Sequence, residues 1–156
     1  MSHRIALIRR LAVAGLIACA ALSAALASTA SAAVPGVAQA WHYEVHFVNN
    51  TGHTLELVSA SDGGGGESWD TKPPASVTPG ETGTFEVGST ELSAGGVVVY
   101  QDAQTGAQVT FTGHADSLID DSWTFAKATG GMQISGHQGY YGGITPHINV
   151  TYTLSY

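Results

Sequence analysis

Apolar and polar residues alternate strictly in two segments of this 156-residue chain. In residues 41–47 every odd position is apolar and every even one polar, and in residues 148–156 every even position is apolar and every odd one polar. Because successive side chains of a β-strand point to opposite faces, a period of two predicts a strand with one buried face. The regularity of the second segment predicts a strand near the centre of a sheet.

Turn signals separate further short apolar runs. Residues 49–52, Asn-Asn-Thr-Gly, predict a turn that returns the chain into 54–58 as a β-hairpin. The β-branched run at 97–101 predicts a central strand. We find no helical periodicity after residue 40. The sequence therefore predicts an all-β fold, an antiparallel β-sandwich of about seven to nine short strands forming a single domain over 41–156.

The first 32 residues predict a cleavable secretory signal peptide. Arg4, Arg9 and Arg10 precede an apolar run over 11–26, and the small residues of 30–32, Ala-Ser-Ala, follow it. A positive start, a short apolar centre and a small-residue cleavage site are typical of secretion and not of a membrane span. We therefore predict an extracellular protein.

Signal removal would leave a disordered lead-in over 33–40 and a strongly acidic domain. Lys72 and Lys127 would be the remaining basic residues against 12 acidic ones, a formal charge of −10. Such a charge repels phosphate backbones, so no nucleic acid partner is predicted. Cys19 would be lost, which leaves no thiol. Alternatively, the Leu-Ile-Ala-Cys sequence at 16–19 resembles a lipobox and would place a lipid anchor on Cys19.

Aromatic residues beside glycines and short strands are the candidate ligand-binding or membrane-binding residues. Trp69 follows a glycine run, Tyr140 and Tyr141 lie between glycines, and Trp123 lies in a weakly patterned segment. Trp and Tyr combine an apolar ring with a polar tip, which suits sugar stacking or the lipid–water interface. The alternative is that these rings fold back and cap the sandwich.

Catalytic signatures are absent from the sequence, and we predict neither an enzyme nor a cofactor. The chain has no Gly-x-Ser-x-Gly elbow and no phosphate-binding glycine loop. The alternative is a secreted hydrolase that uses His114 with the nearby carboxylates of Asp116, Asp120 and Asp121.

A metal site is not predicted either. His42, Glu44 and His46 share one face of the first predicted strand. Neighbours two positions apart lie roughly 7 Å apart, so two of them could share an ion, but the two histidines are about 13 Å apart. A metal site here would need ligands from another strand.

The order of several motifs resembles the aegerolysin family, especially its bacterial branch, which includes the small crystal proteins of insect-pathogenic bacilli. The resemblance covers a little over half of the domain. It is carried by residues 45–51, 67–74, 77–85, 95–100 and 109–111.

The resemblance implies a non-enzymatic, actinoporin-like β-sandwich that binds membrane lipids and is toxin-like. Some family members act with a larger pore-forming partner, so membrane permeabilisation and a protein partner or homo-oligomer on membranes are implied as well. Trp69 matches a tryptophan position of the bacterial branch. The segments 91–96 and 114–121 depart from the family pattern. The alternative is a carbohydrate-binding or protein-binding module without membrane activity.

Overall fold

A computed structural model describes residues 41–64, 66–116, 121–141 and 146–156. The predicted signal peptide and lead-in lie outside these residues. The described residues form the strands β1 (Trp41–Asn50), β2 (Leu55–Ser61), β3 (Glu67–Thr71), β4 (Ser76–Val77), β5 (Thr82–Ser89), β6 (Ser93–Asp102), β7 (Gln108–Asp116), β8 (Ser122–Ala128), β9 (Gln133–Gly136), β10 (Gly139–Tyr141) and β11 (His147–Ser155). Within the described ranges, no helix has the length and apolar character needed to cross a bilayer.

The strands form two sheets that pack face to face. One has five strands in the order β3-β5-β1-β11-β9, and the other has six in the order β10-β8-β7-β6-β2-β4. The pairing is antiparallel except between β1 and β11, which run parallel. The predicted all-β sandwich is confirmed. The strand number exceeds the expected one because β4, β9 and β10 have only two to four residues, too few to show a period-two pattern.

The two alternating segments behave as their pattern predicts. β11 lies between β1 and β9, which confirms its position inside a sheet. β6 likewise lies between β7 and β2. The side chains of β1 and β11 that point between the sheets are buried: Tyr43, Val45, Phe47, Ile148, Val150, Tyr152 and Leu154.

Aromatic rings join the two sheets at the centre of the core. Phe111 of β7 lies 4.9 Å from Phe47, 5.9 Å from Phe85 and 5.4 Å from Tyr152, measured between ring centroids. Those three rings come from β1, β5 and β11 of the five-stranded sheet. Phe111 is therefore the residue of the six-stranded sheet on which three strands of the opposite sheet converge.

The predicted hairpin between β1 and β2 is wrong. β1 pairs with β5 and β11, whereas β2 pairs with β4 and β6 of the other sheet. The buried side chain of Asn49 donates hydrogen bonds to the carbonyl oxygens of His53 (2.8 Å) and Val77 (2.9 Å). These bonds fix a corner that carries the chain from one sheet to the other.

Asp102 organises the turn between β6 and β7, which pair as an antiparallel hairpin. Its Oδ1 accepts hydrogen bonds from the backbone N–H groups of Gln104 (2.7 Å) and Thr105 (2.9 Å). Its Oδ2 accepts from the Tyr156 hydroxyl (2.6 Å) and from His53 Nδ1 (2.8 Å). Burial alone would raise the pKa of Asp102, but these hydrogen bonds to the charged carboxylate outweigh it and hold the pKa well below its usual value.

Replacing Phe111 with Ala is expected to lower the free energy of unfolding by about 3–5 kcal/mol, because the change leaves a cavity where three rings converge. Phe125→Ala on the adjacent strand β8 is the matched control, since Phe125 is 40% exposed. We expect it to cost less than about 1 kcal/mol. Urea unfolding of both variants measures the difference, and equal losses would contradict this account of the core.

Asp102→Asn is expected to lower the free energy of unfolding at pH 7 by about 1.5–3 kcal/mol, because the Asn side chain loses charge-assisted hydrogen bonds. The folded-state pKa of Asp102 is below its unfolded value of about 3.9, so its contribution to stability is present above that value and is lost as pH falls below it toward the folded-state pKa. The difference in free energy of unfolding between the wild type and Asp102→Asn should therefore become smaller as the pH is lowered. Urea unfolding curves at several pH values measure this difference. A difference that does not change with pH would contradict a stabilising role of the ionised Asp102.

Candidate functional site

The structure separates the four candidate aromatic residues into two pairs. Trp123 and Tyr140 point outward from the six-stranded sheet, and Tyr140 is 67% exposed. Trp69 and Tyr141 are half-buried and pack against the hydrophobic core.

Trp123 and Tyr140 belong to a row of three rings that we call the aromatic ridge: Trp123, Phe125 and Tyr140. The ring of Phe125 lies 5.7 Å from Trp123 and 5.9 Å from Tyr140 between centroids. Sequence reasoning did not select Phe125. Its position two residues after Trp123 in a strand was the available signal, because such residues share one face.

Strand alternation and pairing build the ridge. In β8, the residues Ser122, Thr124 and Ala126 point inward and are buried, which turns Trp123 and Phe125 outward. Tyr140 of β10 lies directly opposite Trp123 in the antiparallel register. Because β10 is the outermost strand of its sheet, the ridge lies along that margin.

The surroundings of Trp69 and Tyr141 match the alternative in which these rings fold back and cap the sandwich. The Trp69 ring meets Phe85 edge-on at 6.1 Å. The Tyr141 ring lies 4.9 Å from that of His137, and burial raises the pKa of the Tyr141 hydroxyl. Ligand binding by these two side chains stays a prediction.

A cleft adjoins the ridge on the side of β6 and β7. Its volume is about 270 Å³, and Trp123 belongs to both the cleft and the ridge. We call it the glycine cleft because four of its lining residues are glycines. The lining consists of Gly63, Glu67, Gly95, Gly96, Val97, Thr112, Gly113, His114 and Trp123.

Close backbone packing explains the glycines in this part of the sheet. A Cβ atom on Gly95 would lie 2.5 Å from the carbonyl oxygen of Gly113, and one on Gly113 would lie 2.1 Å from the Tyr43 ring. Side chains cannot fit at either position without moving the backbone or the core. The cleft is therefore lined by backbone at its glycines and by the side chains of Glu67, Val97, Thr112, His114 and Trp123.

Glu67 supplies the acidic group of the cleft. The Ser93 hydroxyl donates to its Oε1 at 3.5 Å, a backbone hydrogen bond from Gly95 also favours the charged carboxylate, and its Oε2 is shielded from solvent. Burial raises the pKa of Glu67, and the nearby His114 acts in the opposite direction. The carboxylate therefore already accepts hydrogen bonds from the protein at the wall of the cleft.

The structure brings only some residues of the alternative hydrolase site together. His114 Nε2 lies 3.1 Å from Asp116 Oδ2, so these two residues do come together. Asp121 is half-buried just before β8, and Asp120 lies outside the described residues. The described lining of the cleft contains neither a serine nor a cysteine to act as a nucleophile.

Comparison with solved structures identifies a related architecture. The chain is similar in fold to the crystal structure of the lipid binding protein Nakanori, with a TM-score of 0.61 over 78% of this chain and 73% of that one. The identity is 13%, so this similarity establishes a shared β-sandwich fold. No protein-family profile and no curated protein matches the sequence.

Proposed function

We propose that this protein is a secreted, non-enzymatic β-sandwich of the aegerolysin kind that binds membrane lipid through the aromatic ridge. The observation that carries the proposal is the contiguous row of Trp123, Phe125 and Tyr140 on the outer face of a sheet. The fold shared with a lipid-binding protein and the motif order of the sequence support it.

The chemistry of the ridge suits a bilayer surface. Phe125 offers an apolar ring whose transfer out of water is favourable by about 25 cal/mol per Å² of buried apolar surface. Trp123 and Tyr140 add a ring with one polar atom, the combination enriched where hydrocarbon meets headgroups. In this proposal, adsorption buries the outer edge of β8 and β10 in the interface.

The charge of the domain limits which membranes it binds. With a formal charge of −10 after removal of the predicted signal peptide, the protein is repelled by anionic headgroups. Lys127 follows the ridge on the outward face of β8 but is a single positive charge. We therefore propose neutral or zwitterionic lipid as the partner.

Assembly after adsorption is the second part of the proposal. The resemblance to aegerolysins implies that adsorbed molecules associate with each other or with a larger partner and then permeabilise the membrane. In that case the ridge provides the first attachment, and the remaining surface stays available for contact.

Alanine substitution in the ridge is expected to weaken binding to phosphatidylcholine vesicles. Phe125→Ala and Tyr140→Ala should each lower the partition coefficient about tenfold, because each removes roughly 1.4 kcal/mol of apolar transfer free energy. Addition of phosphatidylserine should reduce binding of the wild-type protein. Vesicle sedimentation measures both effects.

Val58→Ala is the control for this experiment. Val58 is 51% exposed on β2, away from the ridge, so its removal should leave partitioning unchanged. Absence of wild-type binding to neutral and anionic vesicles alike would refute the proposal. Equal losses in Val58→Ala and Phe125→Ala would also contradict it.

The glycine cleft favours a second candidate function, the binding of a surface glycan. A Trp123 wall and the Glu67 carboxylate provide a stacking surface and a hydrogen-bond acceptor, which is what a sugar ring with its hydroxyl groups requires. Lipid adsorption through the ridge does not use Glu67.

Glu67→Gln separates the two candidates. If the cleft binds sugar, the variant should lose at least tenfold in affinity on a glycan array, because an amide is a weaker acceptor than a carboxylate. Vesicle sedimentation of the same variant should be unchanged. Glycan binding that survives both Glu67→Gln and Trp123→Ala would exclude the cleft as the sugar site.

A further inference from the structure

A cluster of metal-binding side chains lies on the outer face of the five-stranded sheet, the face opposite to the aromatic ridge. It consists of His42 of β1, Asp70 of β3 and Glu86 of β5, which we call the His-Asp-Glu triad. These strands are neighbours in the order β3-β5-β1. A metal site at His42 needs ligands from another strand, and the fold supplies them from β3 and β5.

The donor atoms of the triad converge on one point. His42 Nδ1 lies 2.9 Å from Glu86 Oε1 and 3.4 Å from Asp70 Oδ2. One donor atom from each of the three residues lies within 4.8 Å of the others. The three side chains are 22–29% exposed, so an ion can reach them while much of its surroundings is protein.

Strand pairing explains this convergence. In the β1–β5 pair, Gly88 lies opposite His42, so Glu86, two residues before Gly88, lies diagonally beside His42. In the β3–β5 pair, the same Gly88 lies opposite Ser68, two residues before Asp70. The register of β3 shifts between Trp69 and Thr71, so Asp70 lies in a bulge. A bulge turns a side chain away from the regular pleat, and here it brings the carboxylate toward His42.

We propose that the His-Asp-Glu triad binds a divalent transition-metal ion of the Zn²⁺ class. Ligand atoms bound to Zn²⁺ at about 2.0–2.2 Å in a tetrahedron lie roughly 3.4 Å from each other. The distance from His42 Nδ1 to Asp70 Oδ2 equals that value, the distance from His42 Nδ1 to Glu86 Oε1 is 2.9 Å, and all three donor atoms lie within 4.8 Å of one another. One imidazole nitrogen with two carboxylate oxygens suits Zn²⁺, whereas Mg²⁺ and Ca²⁺ prefer sites made only of oxygen.

The neighbouring carboxylate of Glu44 is engaged with other side chains, which leaves the three residues of the triad as the proposed metal ligands. Glu44 lies on the same face, but its carboxylate already contacts His46 Nε2 at 2.9 Å, His147 Nε2 at 3.4 Å and the Asn149 amide. The His147 ring lies 5.3 Å from that of His42, directly across the β1–β11 pair. The fourth coordination position is open to water or, after rotation of its side chain, to His147.

Bound metal would tie an edge strand to the centre of its sheet. β3 is the outermost strand on this side and pairs only with β5 among the described strands. A ligand that binds the folded state alone stabilises it by RT ln(1 + [L]/Kd). Zinc should therefore raise the thermal unfolding temperature.

The test uses the full chain without a polyhistidine tag, titrated with ZnCl₂. We expect one ion per molecule by isothermal titration calorimetry and a rise in Tm that CaCl₂ and MgCl₂ do not reproduce. His42→Gln and Glu86→Gln should each weaken zinc binding at least tenfold and abolish the rise in Tm. Circular dichroism without zinc shows that each variant is folded.

His46→Gln is the matched control, because His46 lies on the same strand face and contacts Thr84 and Glu44 instead of the triad. Zinc binding should persist in this variant. Absence of zinc binding by the wild type would overturn the proposal and leave the triad as a metal-free ion-pair network. Binding that survives His42→Gln and Glu86→Gln would overturn it as well, since the ion would then lie elsewhere.

Discussion

The packing of aromatic rings between the sheets is the interaction on which the rest of this structure depends. Phe111 contacts rings from three strands of the opposite sheet, and beyond the predicted signal peptide the sequence has no cysteine that could form a disulfide. The core must therefore come from the alternate side chains of each strand. The same alternation turns every other residue outward, so the residues that form the aromatic ridge are fixed by the residues that form the core.

The two outer faces of the sandwich differ in chemistry. The six-stranded sheet presents the aromatic ridge and the glycine cleft, which suit amphipathic or hydroxyl-rich ligands. The five-stranded sheet presents imidazoles and carboxylates that contact one another in short pairs. A lipid surface and a metal ion could therefore be bound at the same time, because the two sites share no residue.

Sequence patterns predicted the features that depend on one strand and missed those that depend on two. The inward faces of β1 and β11 follow from period two, and the pairing of Trp123 with Phe125 on one face could have been found in the same way. The crossing between β1 and β2 could not, because it depends on Asn49 reaching the backbone of residue 77. The triad was missed for a related reason: its three ligands come from three strands, and a bulge positions one of them.

The parallel pairing of β1 with β11 has a consequence for how this domain forms. Glu44 and Asn149 contact each other across that pair although 105 positions separate them, so the five-stranded sheet cannot be completed by local hairpins. Closing so long a loop costs chain entropy before any contact repays it, and β-sandwiches of this kind fold in milliseconds to seconds. Strand β1 can pair with β5 once residue 89 is available, but its other edge stays unpaired until β11, at the end of the domain, is present.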